Sequence, residues 1–565
     1  MTQQRPLYIP PAGHPHFTRQ DHTADTPAPD TRRLAFICDT HVFGPIPPVQ
    51  QRIIEWVNQR MLSLGVHNCI LGGDITHHAD REQALRFLKL LQHPPPGVIT
   101  YLPGNNETLE LELENQPRRD FQFVRGLTRL ADWPGQVFAL GAATAAQATA
   151  AVTALAAHRP ATGHMLILSH FPPEHADNIT MLDRPDLEID WICGHKHQPG
   201  EHRCGNINVH VCAGLDPIKT RGTPPELLIG DWDGRTLRLH RLTAPSAIIK
   251  GPAHGRSPLG LAFKADAATV LRTALEHDCA ALQLKPHGTD DLAAIDSLTT
   301  EFHRRHPGGL LSLHLPSPHP ELSGSPATDW RPLLEKAQTL GFNDLTVHLP
   351  RVPAMLLYDE QRRLRDTTWA EKCLTEYLAL AEQAIRSSAT LSLENLYNKR
   401  SAAADGELLS SLPWHLAVLV DNLRTRLRHK GYSHAQARMV GILLDVGHAF
   451  RDPLGSKLHG LADWLTQLAP YIRLCHIHQV RPENGAMANH LPIENIYGPR
   501  INFSGLLPTI AEALGPDIPL LIEVRRLSGA LTSLQVIRAW LAASFKNERN
   551  RLPKIGGAEA SDRTR

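Results

Sequence analysis

From Arg33 onward the chain alternates short apolar runs with stretches of helical periodicity. LAFIC, CILGG, VITYLPG, MLILSH and DWICGH each run into Gly, Asp, His or Asn. Buried strands deliver polar residues to the edge of an α/β sheet in this way. Helices are predicted between them around residues 49–64 and 80–91. NINVHVCAG, ELLIGDWD and TLRLHRL then read as consecutive strands completing a β-rich layer. The Ala-rich run over residues 139–157, interrupted by Gln147, reads as a strand followed by a soluble helix and not as a membrane span.

A Pro/Gly/Ser-rich stretch over residues 243–258 breaks the pattern, and the alternation then restarts. LGLAF, ALQL, LLSLHLP, LTVHLP, TLSLEN, GILLDVGH, IRLCHIH and LLIEVR are eight strand-like runs separated by helix-length segments. That count predicts a (β/α)₈ barrel, with an open doubly wound sheet as the alternative. The predicted organisation is a disordered leader at 1–32, an α/β unit at 33–243, a linker at 244–258, a barrel at 259–545 and a flexible tail at 546–565.

Composition narrows the function. The 565 residues leave room for two to four domains, at roughly 100–200 residues each. With 58 Lys+Arg against 57 Asp+Glu, the net charge of +1 gives no bulk attraction to nucleic acid or an anionic membrane. Eight scattered cysteines without a CxxC pair, and no apolar segment behind a basic start, point to a reducing cytoplasm. The count out of line is histidine, at 33.

Position explains much of that excess. The strand ends of the first half carry Asp39 and His41, then Asp74, then Asn105, Asn106 and Glu107, then His170, and finally His195 and His197. Any one of these could merely cap a helix, but the ordered set DxH, GGD, GN, H and GHxH converges on one crevice. Its oxygen and imidazole donors suit Mn²⁺, Fe²⁺ or Zn²⁺. Over residues 33–242 the pattern resembles the calcineurin-like metallophosphoesterases. The resemblance implies a four-layer α/β/β/α domain with two ions. Asp39, His41 and His197 hold one, Asn105, His170 and His195 hold the other, and Asp74 bridges them. Two such cations acidify a water and clamp phosphoryl oxygens. The family's usual GNH is here GNN, so Asn106 can donate to a phosphate oxygen but cannot protonate an alkoxide. His77 and His78 are candidate replacement acids or plain loop histidines.

The second half repeats the arrangement. His314, His348, Glu394, Asp445, His448, His476 and Glu523 close successive runs, and His490 lies on the loop after the seventh. So many buried ionisable groups need cations. SLEN, LLDVGHAF, RLCHIH and LLIEVR resemble the xylose-isomerase-like barrels, which include sugar-phosphate isomerases and epimerases and endonuclease IV-type AP endonucleases. That resemblance implies a one-ion core of Glu394, Asp445, His476 and Glu523. His314, His348, His448 and His490 would hold further ions, one to three in all. DVGHAF departs little from the endonucleases, but their further Asp is here Ala488. His478, on the strand of His476, is a residue behind the ligands, a substrate contact or a core histidine.

The candidate reacting residues are therefore Asp74, Asn106, His170, Glu394 and Glu523. The leading expectation is a metal-dependent phosphoric ester hydrolase whose barrel acts on the same substrate or its product. The substrate is a phosphorylated small molecule or a nucleic acid. The basic groups available for a polymer are modest, such as Arg362, Arg363 and Arg365 and the stretch 424–430, and read as solvated helix faces. A sugar-phosphate or nucleotide enzyme combining phosphatase and isomerase activities is the alternative, and a binding protein with one lapsed site is a third reading.

Overall fold

The computed structural model describes residues 31–42, 44, 46–66, 68–77, 80–91, 98–107, 121–160, 162–251, 257–286, 288–316, 330–397, 407–451, 460–483 and 486–543. Most of the expected leader, the expected tail and His78 lie outside them.

The first half contains β1 (Arg32–Ile37), β2 (Asn68–Leu71), β3 (Ile99–Tyr101), β4 (Phe121–Phe123), β5 (Gly126–Arg129), β6 (Gln136–Gly141), β7 (Gly163–Ser169), β8 (Leu187–Cys193), β9 (Gly200–Cys204), β10 (Ile207–Val211), β11 (Glu226–Trp232) and β12 (Leu237–Thr243). One sheet has the order β12-β11-β1-β2-β3-β4 and the other β5-β6-β7-β8-β10-β9. Strand alternation sorts their side chains. From β1, Leu34 and Phe36 join Leu166, Ile192 and Leu228 in a core between the sheets. Ala35 and Ile37 face the opposite way, onto Val49, Ile53 and Trp56 of helix Pro48–Ser63. On the far side, Leu140 and Ile167 pack on Val152 and Leu155 of helix Ala145–His158. The result is four layers: helix, sheet, sheet, helix. Both faces of the central strands are covered, which is why they read as unbroken apolar runs.

One expectation is corrected here. NINVHVCAG and ELLIGDWD do not form a single layer, because β10 lies parallel to β8 in one sheet while β11 lies antiparallel to β1 in the other. The chain crosses between the sheets through residues 212–225. The polar β9, GEHRC, carries no apolar signal and was not expected.

The second half contains β13 (Leu259–Phe263), β14 (Ala281–Leu284), β15 (Leu310–His314), β16 (Asp344–His348), β17 (Thr390–Glu394), β18 (Val440–Asp445), β19 (Ile472–Ile477), β20 (Gln479–Glu483), β21 (Ala486–Leu491) and β22 (Leu520–Val524). The eight expected runs are parallel neighbours in a closed barrel that ends β19-β22 and returns to β13, which removes the open-sheet alternative. β20 and β21 form an antiparallel hairpin between its last two strands, so His490 sits on a strand and not on a loop.

The expected linker is partly helical. Ser246–Lys250 is a short helix, and the Lys250 ammonium is buried and donates to the carbonyls of Trp540 and Ala543. Helix Phe503–Leu514 is buried on every side as far as Ala511 because elements of both halves cover it. Arg52 of the first half pairs with its Glu512 at 2.6 Å, and Glu512 also accepts from the Val49 N–H. The halves are thus joined by an apolar helix and an ion pair, which a free tether would not supply. Among the described residues, no helix is long and apolar enough to cross a membrane.

On the second sheet, Asp190 sits between two imidazoles, His164 at 2.8 Å and His210 at 3.1 Å. Burial favours neutral forms, but the partners outweigh it. The pKa of Asp190 falls below its ordinary value, and that of His210 rises above 6.5 through Asp190 and Glu201. Asp190 therefore contributes stability that is present above about pH 4 and is lost as pH falls through its lower folded value. The contribution of His210 is complete below about pH 6.5 and fades as pH rises through its higher folded value. Asp190→Asn is expected to cost about 1–2 kcal/mol at pH 5.5 and clearly less at pH 9. Thermal melts at the two pH values test this, and an equal loss at both would refute it.

Candidate metal centres

Asp39, His41, Asp74, His195 and His197 of the first half, and His490 of the second, all have positive φ, between 43° and 71°. Non-glycine residues pay roughly 1–2 kcal/mol each for that conformation, so the surrounding structure must enforce it. Backbone strain of this kind gathers at functional sites. Here it falls on residues that strand-end chemistry had already singled out.

The first centre is assembled from loops after five strands. Asp39 Oδ1 lies 3.9 Å from His41 Nε2 and 3.7 Å from His197 Nε2. His170 Nε2 lies 3.6 Å from Asp74 Oδ1, 3.2 Å from Asn105 Oδ1 and 3.2 Å from His195 Nδ1. The second oxygen of Asp74 is 3.8 Å from His41 Nε2, so this one carboxylate faces both groups. His170 Nδ1 donates to the Gly72 carbonyl, which leaves Nε2 as the lone-pair nitrogen toward the centre. Burial holds the pKa of His41 and His197 well below the ordinary imidazole value and that of His195 at about 3, so these rings are neutral and ready to ligate. Close approach explains the flanking glycines. A Cβ at Gly104 would stand 2.2 Å from Asp74 Oδ1.

Glu107, the strand-end residue after Asn106, has a role that its position in the sequence did not indicate. It is 1% exposed and accepts backbone N–H groups from Asp74 at 2.7 Å, Gly104 at 2.8 Å and Thr76 at 3.1 Å. It ties two ligand loops together, and burial together with the Asp74 charge pushes its pKa to about 7. Asn106 is used differently from the expectation. Its backbone N–H donates to Asp74 Oδ1 and its amide nitrogen lies 3.0 Å from His41 Nδ1. In this arrangement it contacts two of the candidate ligands, Asp74 and His41. His77 receives a hydrogen bond from Lys219 Nζ at its Nδ1, 2.9 Å away.

The barrel centre comprises three donor groups: His314, His348 and Glu394; Glu394, Asp445, His476 and Glu523; and Asp445, His448, His478 and His490. Glu394 and Asp445 each belong to two groups. His478 Nε2 stands 3.1 Å from Asp445 Oδ1, which makes it a member of the third group, on the side where Ala488 has no donor to offer. Gly447 leaves room for it, since a Cβ there would lie 1.9 Å from the His478 ring. Asn395 brackets Asp445 by accepting from its N–H and donating to its carbonyl. Lys285, at the end of β14, pairs with Glu523 through its ammonium.

Beneath this centre runs a polar relay through the barrel. Asp344 is fully buried and accepts from the hydroxyls of Ser312, Thr346, Thr390 and Ser392. Ser312 and Thr346 have spent their hydrogens on Asp344, so they accept from Gln283 Nε2. The Gln283 carbonyl oxygen is thereby turned to His476 Nε2, 3.0 Å away, and takes its hydrogen. His476 Nδ1 then faces Glu523 at 2.7 Å and Glu394 at 3.6 Å. The polar Gln283 inside the apolar run ALQL was the available sequence signal for this relay.

Asp39 Oδ1, His41 Nε2, His476 Nδ1 and Glu523 Oε2 are buried without hydrogen bonds, although each faces its ligand group. Such atoms are costly to leave unsatisfied. Divalent cations fit both centres. In the first they would be held by Asp39, His41, His197, Asp74, Asn105, His170 and His195. In the second they would be held by the three barrel groups.

No family model matches the chain, and no curated protein matches it. Among solved structures, a D-tagatose 3-epimerase-like protein is 20% identical and covers 52% of this chain and 100% of its own, with a TM-score of 0.34. The IOLI protein with a bound zinc atom is 13% identical, covering 49% and 93%, with a TM-score of 0.33. A xylose isomerase-like TIM barrel protein from Mycobacterium smegmatis in complex with magnesium is 16% identical, covering 53% and 91%, with a TM-score of 0.32. The barrel itself is established by its own strand pairing.

The relay generates a test. Gln283→Leu removes the acceptor that fixes the His476 tautomer, and loss of such an outer partner typically weakens metal affinity about 10–100-fold. Chelator competition on the full chain should show that weakening for the barrel ions only. Unchanged barrel affinity would remove the relay from the account.

Proposed function

We propose that the chain is a bifunctional metal-dependent enzyme acting on a phosphorylated sugar or a related small molecule. The first centre hydrolyses a phosphoester, and the barrel isomerises or epimerises the substrate or its product. The carrying observation is Asp74, a strained carboxylate whose two oxygens face two separate donor groups. This is the arrangement that in-line attack on a phosphoryl group requires, and it agrees with the resemblance of the first half to calcineurin-like metallophosphoesterases.

When bound, divalent cations supply positive charge that polarises phosphoryl or hydroxyl oxygens and acidifies water. The chain's own groups do the rest. His170 is held by Gly72, and Asn106 and Glu107 fix the loops so that the donors need not reorganise. In the barrel, Glu394 on β17 and Glu523 on β22 are carboxylates that can take and return a proton on neighbouring carbons. Lys285, beside Glu523, can hold a substrate hydroxyl.

A small substrate is favoured over a polymer because the basic groups are already engaged. Arg426 pairs with Glu371, Lys430 with Glu382 and Arg363 with Asp359, while Arg362 lies over the Trp414 ring. A second reading, in which the barrel too hydrolyses phosphoesters as the endonuclease IV-type enzymes do, draws on the imidazoles beyond the four-donor core.

The reading predicts separable losses. Asp74→Ala should abolish phosphate release from a phosphomonoester panel by the Mn- or Zn-loaded protein while leaving barrel chemistry intact. Glu394→Ala should do the reverse. Mass spectrometry distinguishes the barrel reactions, since isomerisation conserves mass and hydrolysis adds a water. A loaded protein that cleaves no phosphoester would overturn the first half of the reading. Nicking of abasic DNA lost in Glu394→Ala would replace the second.

A further inference from the structure

The loop over residues 215–222 runs from the second sheet back across the first centre. Leu215 and Asp216 donate their N–H groups to the carbonyls of Cys38 and Asp39, and the Arg221 N–H donates to the carbonyl of His197 at 2.7 Å. Asp216 Oδ1 accepts from the N–H groups of Ile218 and Lys219, which fixes the turn. Lys219 and Arg221 are thereby set beside the ligands. Lys219 Nζ reaches His77, whose ring centroid is 5.8 Å from that of His41.

The barrel half supplies the opposite wall. The segment over residues 496–502, which follows the hairpin carrying His490, docks onto this loop. Gly222 donates to the carbonyls of Tyr497 and Gly498, and Asn502 donates to the Ile218 carbonyl from its backbone and to Thr220 Oγ1 and the Thr223 carbonyl from its side chain. A Cβ on Gly505 would strike the Pro217 carbonyl at 2.2 Å, so the approach is close. Arg500 lies within this segment. Like Lys219 and Arg221, it is only partly exposed.

These three cations are not paired off. Among the described residues neither guanidinium has a carboxylate within ion-pair distance, and Arg221 Nε is buried without a hydrogen-bond partner. Burial and the like charge of Arg500 push the pKa of Arg221 down to about 10. Lys219 is also lowered by burial, against the pull of Asp216, Asp74 and Asp39. Its charge in turn lowers His41 and His197, and the Arg221 backbone bond to His197 together with the Lys219 contact to His77, which stands against His41, sets the cluster beside the ligand loops. Gathering unpaired cations in a partly buried place is unfavourable unless an anion joins them.

We propose that Lys219, Arg221 and Arg500 form a composite anion pocket beside the first centre that takes the phosphoryl oxygens of a phosphomonoester dianion, so that the barrel half completes the phosphoesterase site. The proposal rests on the phosphoesterase reading for its substrate class, but not for its anion. The pocket supplies the positive contacts that Asn106, turned onto His41, does not. Arg500 contributes a planar donor fork to phosphate, and Arg221 offers its free Nε–H.

The test uses the metal-loaded full chain and inorganic phosphate as the probe. Calorimetric affinity for phosphate is expected to weaken about tenfold or more in Arg500→Gln and in Arg221→Gln, charged hydrogen bonds being the strong ones, with metal content unchanged. Arg500→Lys should recover part of it. With a chromogenic phosphomonoester, Arg500→Gln should raise KM more than it lowers kcat. Folding provides a control of opposite sign. Without phosphate, Arg500→Gln should melt no lower than the parent, because it relieves like-charge crowding, whereas an arginine needed only for domain docking would melt lower when replaced. Phosphate affinity unchanged in both Gln variants, or no phosphate binding by the parent protein, overturns the pocket. Arginine-dependent phosphate binding without any phosphoester cleavage would keep the pocket and remove the phosphoesterase reading.

Discussion

Strands buried on both faces of a sheet present their ligand candidates at their ends, and both halves of this chain are organised in that way. In β1 every residue from Arg33 to Ile37 is buried, and the first carboxylate of the centre, Asp39, comes two residues after the strand. In the barrel, His314, His348, Glu394 and Asp445 are the last residues of their strands. Two unrelated sheet architectures therefore yield the same product, a ring of acids and imidazoles on one rim. The strands pack, and the rims gather the ionisable groups. The cost appears as left-handed backbone at Asp39, His41, Asp74, His195 and His197, and as buried donor atoms left without hydrogen bonds at Asp39 and His41.

The two rims are not independent. The chain that leaves the β20–β21 hairpin carries the barrel's third donor group at His490, then passes to the loop over residues 215–222, and finally enters the buried helix Phe503–Leu514. One continuous segment therefore serves the barrel centre, the edge of the first centre and the core between the halves. Helix Ser246–Lys250 locks the same junction from the other side, with Lys250 spending its ammonium on the carbonyls of Trp540 and Ala543. Such a junction sets the separation of the two rims, which a flexible tether would leave undefined.

Much of this was legible in the chain. All eight barrel strands were readable as apolar runs, and the ligand candidates stood at their ends, because burial on both faces leaves a strong signal in a single sequence. The assignment of β10 and β11 to different sheets was not readable, since apolar periodicity does not record which neighbour a strand pairs with. The helix inside the expected linker was hidden by its prolines and glycines, although its Ile249 and Lys250 are buried. Positioning residues were the hardest to see. Glu107, Gln283 and Asn395 act through hydrogen bonds to groups distant in sequence or to backbone atoms, and their residue types alone do not announce that role.

The relay under His476 shows why such residues matter to chemistry and not only to stability. An imidazole can ligate through either nitrogen, and nothing in the ring decides which. The decision is made at Asp344, three hydrogen bonds away, whose carboxylate oxygens accept from the surrounding hydroxyls. Two of the hydroxyls that donate to it, those of Ser312 and Thr346, accept from Gln283, and the Gln283 amide then shows its oxygen to His476. One buried carboxylate at the start of β16 thus propagates a donor and acceptor order through the barrel to the rim. The first centre reaches the same end by a shorter path, with the Gly72 carbonyl fixing His170 directly. The barrel uses backbone carbonyls in the same way for His314, His448 and His478, which face those of Leu315, Asn395 and Gln479, whereas His476 is oriented by a side chain and so by the network behind it.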